Sequence, residues 1–93
     1  MKHKNIGSNF DDFLKEEGML ADAEAVAVKR VIAYQIKHLL DEQKITKLAL
    51  SQKMGTSRSS LDRLLDPSDT SLSLKTLSRV AFSLGKKLSI QLI

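Results

Sequence analysis

Arg58, Ser59 and Asp62 lie on the polar face of a short segment whose other face is Leu61, Leu64 and Leu65. Their types suit the edges of nucleic-acid bases. The planar fork of Arg58 matches the O6 and N7 acceptors of guanine, and the first turn of a helix is the part that enters a major groove first. Ser59 is short enough to sit against a base edge or a phosphate. Asp62 has three readings. Its carboxylate could accept from cytosine N4. Four residues after Arg58, it could instead hold that guanidinium in place. Or it is a tolerated surface acid beside Arg63. A second set of residues suits phosphate. Ser57 and the free N–H groups behind it sit at a helix start, where anions bind. Lys47 opens the preceding helix, where a nucleic-acid backbone would pass. Lys53 and Arg63 are candidates for the same contact, and Lys44 is a looser one.

Other chemistries lack their residues. His3 and His38 have no spacing that would chelate a metal, and His38 reads as a half-buried surface residue. Asp11, Asp12, Glu16 and Glu17 fall near a helix start, where acids serve the dipole and solubility. There is no glycine-rich phosphate loop and no serine–histidine–aspartate pattern. Cysteine is absent, which removes disulfides, thiolate ligands and a cysteine nucleophile. A binding protein is expected, with no catalytic residues, metal or cofactor.

Placing the two residue sets requires two short helices that cross at a fixed angle. The first must bury an apolar residue and keep a small one at the crossing, and the turn needs a residue that tolerates positive φ. Leu50 and Met54 supply the buried residues, Ser51 the small one and Gly55 the turn; Leu61 and Leu64 anchor the second helix. Thr46 is positioned to cap a helix over 47–54 and Ser57 one over 58–65, which Pro67 stops. The alternative is an ordinary helical hairpin. Before this unit, a capping-box-like Ser8-Asn9-Phe10-Asp11 predicts a short helix from Asn9 to about Glu17, with Phe10, Phe13 and Leu14 on one face and Gly18 as its stop. A long amphipathic helix comes next, from Ala21 to Gln43. Its stripe is Val28, Ile32, Ile36, Leu39 and Leu40, widened by Val26, Val31 and Tyr34. After the unit, Ser73 caps a helix over 74–84 with Leu74, Leu77, Ala81 and Leu84 inward and Gly85 as its stop. Leu88, Ile90 and Leu92 then alternate with Ser89 and Gln91, the period of a half-buried strand. A lone strand needs a partner for its backbone groups. The simplest is the same strand of a second copy; otherwise the tail lies along the helices as irregular structure.

The 93 residues make one small domain, too small for a deep catalytic cleft. No run approaches the roughly 20 apolar residues of a membrane span, and the basic start, Met1 to Asn5, leads into acids rather than an apolar signal core. A cytoplasmic protein is expected. The net charge of +4 is unevenly spread. Residues 1–28 carry three bases against six acids, and residues 29–93 carry twelve bases against five acids. An acidic front and a basic body suggest two surfaces with different partners, the basic one suited to a polyanion.

The run Ile45-Thr46-Lys47, then Leu50-Ser51-Gln52-Lys53-Met54-Gly55-Thr56-Ser57-Arg58-Ser59-Ser60-Leu61-Asp62-Arg63-Leu64-Leu65-Asp66-Pro67, resembles the Xre/lambda-repressor-like regulators. It looks closest to the HigA-like antitoxin subgroup. The front from Gly7 to Gly18, the Ala-rich helix leading to Lys29-Arg30-Val31 and the tail from Gly85 to Leu92 extend the likeness over nearly the whole chain. The resemblance implies a cytoplasmic homodimer that represses its own promoter, and a RelE/HigB-like ribonuclease toxin as partner. Three positions depart from the wider family. Lys47 stands where Gln is common, Ser51 where Ala is usual, and Leu48 where a polar residue is expected, so that an exposed Leu48 would pack on a neighbouring element.

The expected fold is mainly α. It is a five-helix, lambda-repressor-like helix-turn-helix domain whose short C-terminal strand pairs across a dimer. Residues 1–20 form an acidic helical arm, 21–86 the DNA-binding domain with its motif at 46–65, and 87–93 the strand. The expected function is sequence-specific binding of double-stranded DNA at a palindromic operator, as the antitoxin of a toxin–antitoxin pair. The alternatives are a stand-alone phage- or chromosome-type repressor and a module that mainly masks a toxin.

Overall fold

The computed structural model describes the backbone of residues 6–93 and the side chains of residues 15–93. The expected positions of His3, the Ser8–Asp11 cap and Phe10, Phe13 and Leu14 lie outside the described side chains. The chain is mainly helical: α1 spans Ile6–Gln43, α2 Lys47–Met54, α3 Arg58–Leu64 and α4 Leu74–Ser83.

Among the described residues four helices stand where five are expected, because α1 runs unbroken through Gly18. Glycine ends a helix when it turns left-handed and the chain departs. Gly18 is not among the positive-φ glycines, and Met19, Leu20 and Ala21 behind it are good helix formers. Its cost relative to alanine, about 1 kcal/mol, leaves the helix intact.

The other three helix starts match their expected caps. The hydroxyls of Thr46, Ser57 and Ser73 accept from the N–H groups of Ala49, Ser60 and Thr76. Three ends close in the Schellman pattern, around a left-handed residue. Gly55 has φ 66° and Gly85 φ 71°, and at each the next N–H reaches back five residues, Thr56 to Ser51 and Lys86 to Ala81. Lys44 does the same after α1 at φ 56°, so a lysine bears the left-handed strain, and Ile45 N–H bonds Leu40 C=O at 2.9 Å. The end of α3 has no left-handed residue; Leu65 sits at φ −91°, ψ 0°.

Ile36 and Leu40 of α1, Leu50 of α2, Leu61, Leu64 and Leu65 at α3, and Val80 and Leu84 at α4 form the core. Ile32, Leu39, Ile45, Met54 and Leu72 pack on it. Two expected inward residues turn out: Val28 is 53 % and Leu74 65 % exposed. Position 28 lies off the register 29, 33, 36, 40 that α1 buries, and Leu74 is the first residue of α4, at its frayed edge. Val31 and Tyr34 also face outward.

No strand forms in the tail among the described residues, which corrects the expectation for 87–93. A strand requires a ladder partner, and none lies among the described residues. The tail instead runs irregularly, with Leu88 and Ile90 lining an open apolar groove of about 820 Å³ between α1 and α4. No helix of the described residues is long and apolar enough to cross a membrane.

Candidate nucleic-acid interface

The α2–α3 unit sets two side-chain layers from one short sequence. Inward, Leu50 is fully buried, Leu61 is 1 % exposed, and Leu64 and Leu65 are buried beside them. Ser51, at the crossing, is buried too, and its hydroxyl donates to Leu48 C=O at 2.7 Å. Serine therefore fits at the buried crossing, because its polar atom is satisfied within its own helix. Gly55 turns the chain, and a Cβ built there would meet nothing within 4 Å. Glycine is thus favoured at Gly55 by its positive φ alone.

Outward, Arg58, Ser59, Asp62 and Arg63 are all exposed on α3, so these four expected residues share one accessible helix face. Ser57, also exposed, caps α3: its Oγ accepts from Ser60 N–H at 3.1 Å and lies 3.0 Å from Ser60 Oγ. Lys47 is exposed at the first position of α2, and Lys44 is exposed just before it. Lys53 has a structural partner, since its Nζ donates to Ser83 C=O at 3.0 Å at the end of α4. Asp62 forms no ion pair with Arg58 or Arg63 among the described residues; the side-chain contact of this kind that is present is His38 Nε2 to Glu42, 3.8 Å apart. His38 is exposed rather than half-buried, and it stacks on Tyr34 with ring centres 6.2 Å apart. Leu48 remains 53 % exposed, uncovered by any neighbouring element.

The α3–α4 loop is held by its own side chains. Asp66 accepts from the backbone N–H of Ser68 at 3.0 Å and its hydroxyl at 2.8 Å, and Asp69 accepts likewise from Ser71. The Ser68 N–H lowers the Asp66 pKa most, and the Ser71 hydroxyl that of Asp69. A depressed carboxylate favours the folded state above its unfolded pKa. The gain is lost as pH falls through the folded value, so these turns loosen only in acid.

Lys29 belongs to this region although its spacing in the sequence does not single it out. It is 3 % exposed, and its ammonium donates to the carbonyls of Arg63 at 3.2 Å, Asp66 at 2.9 Å and Asp69. A signal is present in the register. Lys29, Ala33, Ile36 and Leu40 recur at steps of four, three and four, a buried stripe one residue over from the one beginning at Val28.

Among the described residues no cluster of histidine, aspartate and glutamate could hold a metal. The exposed face of α3 presents two guanidinium forks, Arg58 and Arg63, with the hydroxyl of Ser59 and the carboxylate of Asp62, and Lys47 stands exposed at the start of α2. Comparison with models of protein families, with curated proteins and with solved structures finds no match to this chain.

Proposed function

We propose that the chain is a sequence-specific double-stranded DNA-binding repressor that works as a homodimer. One observation carries this reading: Arg58, Ser59, Asp62 and Arg63 stand together on the exposed face of a short helix whose opposite face, Leu61 and Leu64, is locked in the core. A recognition helix needs this division between anchor and probe. The basic body, twelve bases against five acids over residues 29–93, supplies the sequence-independent attraction. In this reading Arg58 and Ser59 read bases, Asp62 reads a base or steadies Arg58, and Lys47, Ser57 and Arg63 meet phosphates. Lys53 can join them only by releasing Ser83. The homodimer and the palindromic operator come from the likeness to Xre/lambda-repressor-like regulators, as does an antitoxin role.

Lys47→Ala tests the phosphate assignment. It should weaken binding to all duplexes alike and reduce the slope of log affinity against log salt by about one unit. An unchanged slope in a salt titration would remove Lys47 from the backbone contact.

A second surface has its own support. Residues 15–25 of α1 are exposed throughout and carry Glu16, Glu17, Asp22 and Glu24 beside Met19 and Leu20. An acidic, partly apolar arm suits a basic protein, and a ribonuclease toxin of the RelE/HigB kind is the partner proposed. Deleting residues 1–20 should leave duplex binding intact and abolish binding of such a toxin in a titration of the purified pair. Loss of both activities would join the two surfaces into one.

A further inference from the structure

The end of α3 sets the angle at which its exposed face meets a ligand, and that end is closed unlike the ends of the other three helices. They stop on a left-handed residue, which satisfies the last carbonyls from the chain's own N–H groups. At α3 no left-handed residue closes the end; Asp66 and Asp69 N–H bond the carbonyls of Arg63 and Asp66 at 3.2 and 3.1 Å, and the carbonyl oxygens of Arg63, Asp66 and Asp69 converge in addition on the Nζ of Lys29, which comes from the middle of α1, 34 to 40 residues away in sequence. An ammonium has three protons, and here all three are used. No buried side-chain polar atom among the described residues is left without a partner. The carboxylates of Asp66 and Asp69 in the same loop feel the ammonium's charge but are turned to Ser68 and Ser71.

We infer that Lys29 is the positioning residue of the recognition helix: a buried point cation that ties the C-terminal end of α3 to α1 and fixes the pose in which Arg58 and Ser59 are presented. The inference rests on the DNA-binding reading above. Three features support a positioning role over simple stability. The core leucines grip the middle of α3 through non-directional contacts, whereas three carbonyls around one nitrogen fix a direction at its end. The cation meets the negative end of the helix dipole. The bonds also span α1, α3 and the loop into α4, so a single side chain fixes the relation between three elements.

The test uses two variants of the full chain. Lys29→Met keeps the length of the side chain and removes charge and donors. Lys29→Arg keeps both, so it retains the fold, but a longer planar fork cannot bring one nitrogen to three oxygens. At a temperature where each variant is folded by circular dichroism, affinity for the selected duplex should fall about tenfold or more. Affinity for a scrambled duplex and its salt slope should stay within about twofold, because the phosphate contacts do not depend on base register. Backbone amide chemical shifts should move across residues 61–69 and hold across 47–54. If Lys29→Met does not fold, Lys29→Arg decides alone. Selected-duplex affinity within about twofold of the wild type, or unmoved amide shifts over 61–69, overturns the inference. If the wild-type chain prefers no duplex, the DNA reading fails, and the amide shifts alone decide whether Lys29 places α3.

Discussion

Leu61→Ala should destabilise the fold by about 2–5 kcal/mol, the cost of removing a buried leucine and leaving a cavity. The residue is 1 % exposed and belongs to the cluster that joins all four helices. A small domain has only about 5–15 kcal/mol of stability in total, so one substitution takes a large share. The upper part of the range is expected. Leu61 sits in the middle of a seven-residue helix, and Ile36 and Leu40 of α1, Leu50 of α2 and Val80 of α4 share its buried cluster from three other helices, which limits collapse into the space. Leu48→Ala, close to Leu50 in α2 but 53 % exposed, should cost under about 1 kcal/mol. Urea unfolding of the two variants, with unchanged m values, checks both. Similar losses for the two would mean that α2 and α3 do not pack by the faces described.

Arg58→Ala should cost about 1–3 kcal/mol of affinity for the preferred duplex and relax the preference at one base pair of each half-site. Arg58 is exposed in the first turn of α3, takes part in no ion pair among the described residues, and supports no core contact. Its removal therefore leaves the fold unchanged, which separates this variant from Leu61→Ala. Binding of the variant to a duplex series substituted one base pair at a time gives the readout. A uniform loss across the series would make Arg58 a phosphate contact. No loss would remove it from the interface.

What is legible in the sequence is local. Thr46, Ser57 and Ser73 cap because a hydroxyl before a helix has one obvious use, and Gly55 and Gly85 stop because a left-handed end favours glycine. Leu50, Leu61 and Leu64 are buried as their spacing requires. The face carrying Arg58, Ser59, Asp62 and Arg63 is then set by those anchors through geometry. What is not legible depends on distant parts of the chain. The alternation at Leu88–Leu92 matches a strand, yet a strand needs a neighbour, and none stands among the described residues. Lys29 is hidden because lysine is ordinarily a surface residue, and the carbonyls that justify its burial lie at least 34 residues on. Lys53 reads as a free cation in the sequence because its partner, Ser83 C=O, lies in a later helix.

The central claim, that α3 presents a base-reading face to duplex DNA, is tested most directly by selecting bound duplexes from a random-sequence pool with the intact chain at fixed salt. A single enriched motif is expected, in two inverted copies centred about 34–36 Å apart, one helical turn or a multiple of it. A pool that stays unenriched, whether the chain binds every duplex equally or none, would show that the face of Arg58, Ser59 and Asp62 does not read DNA sequence.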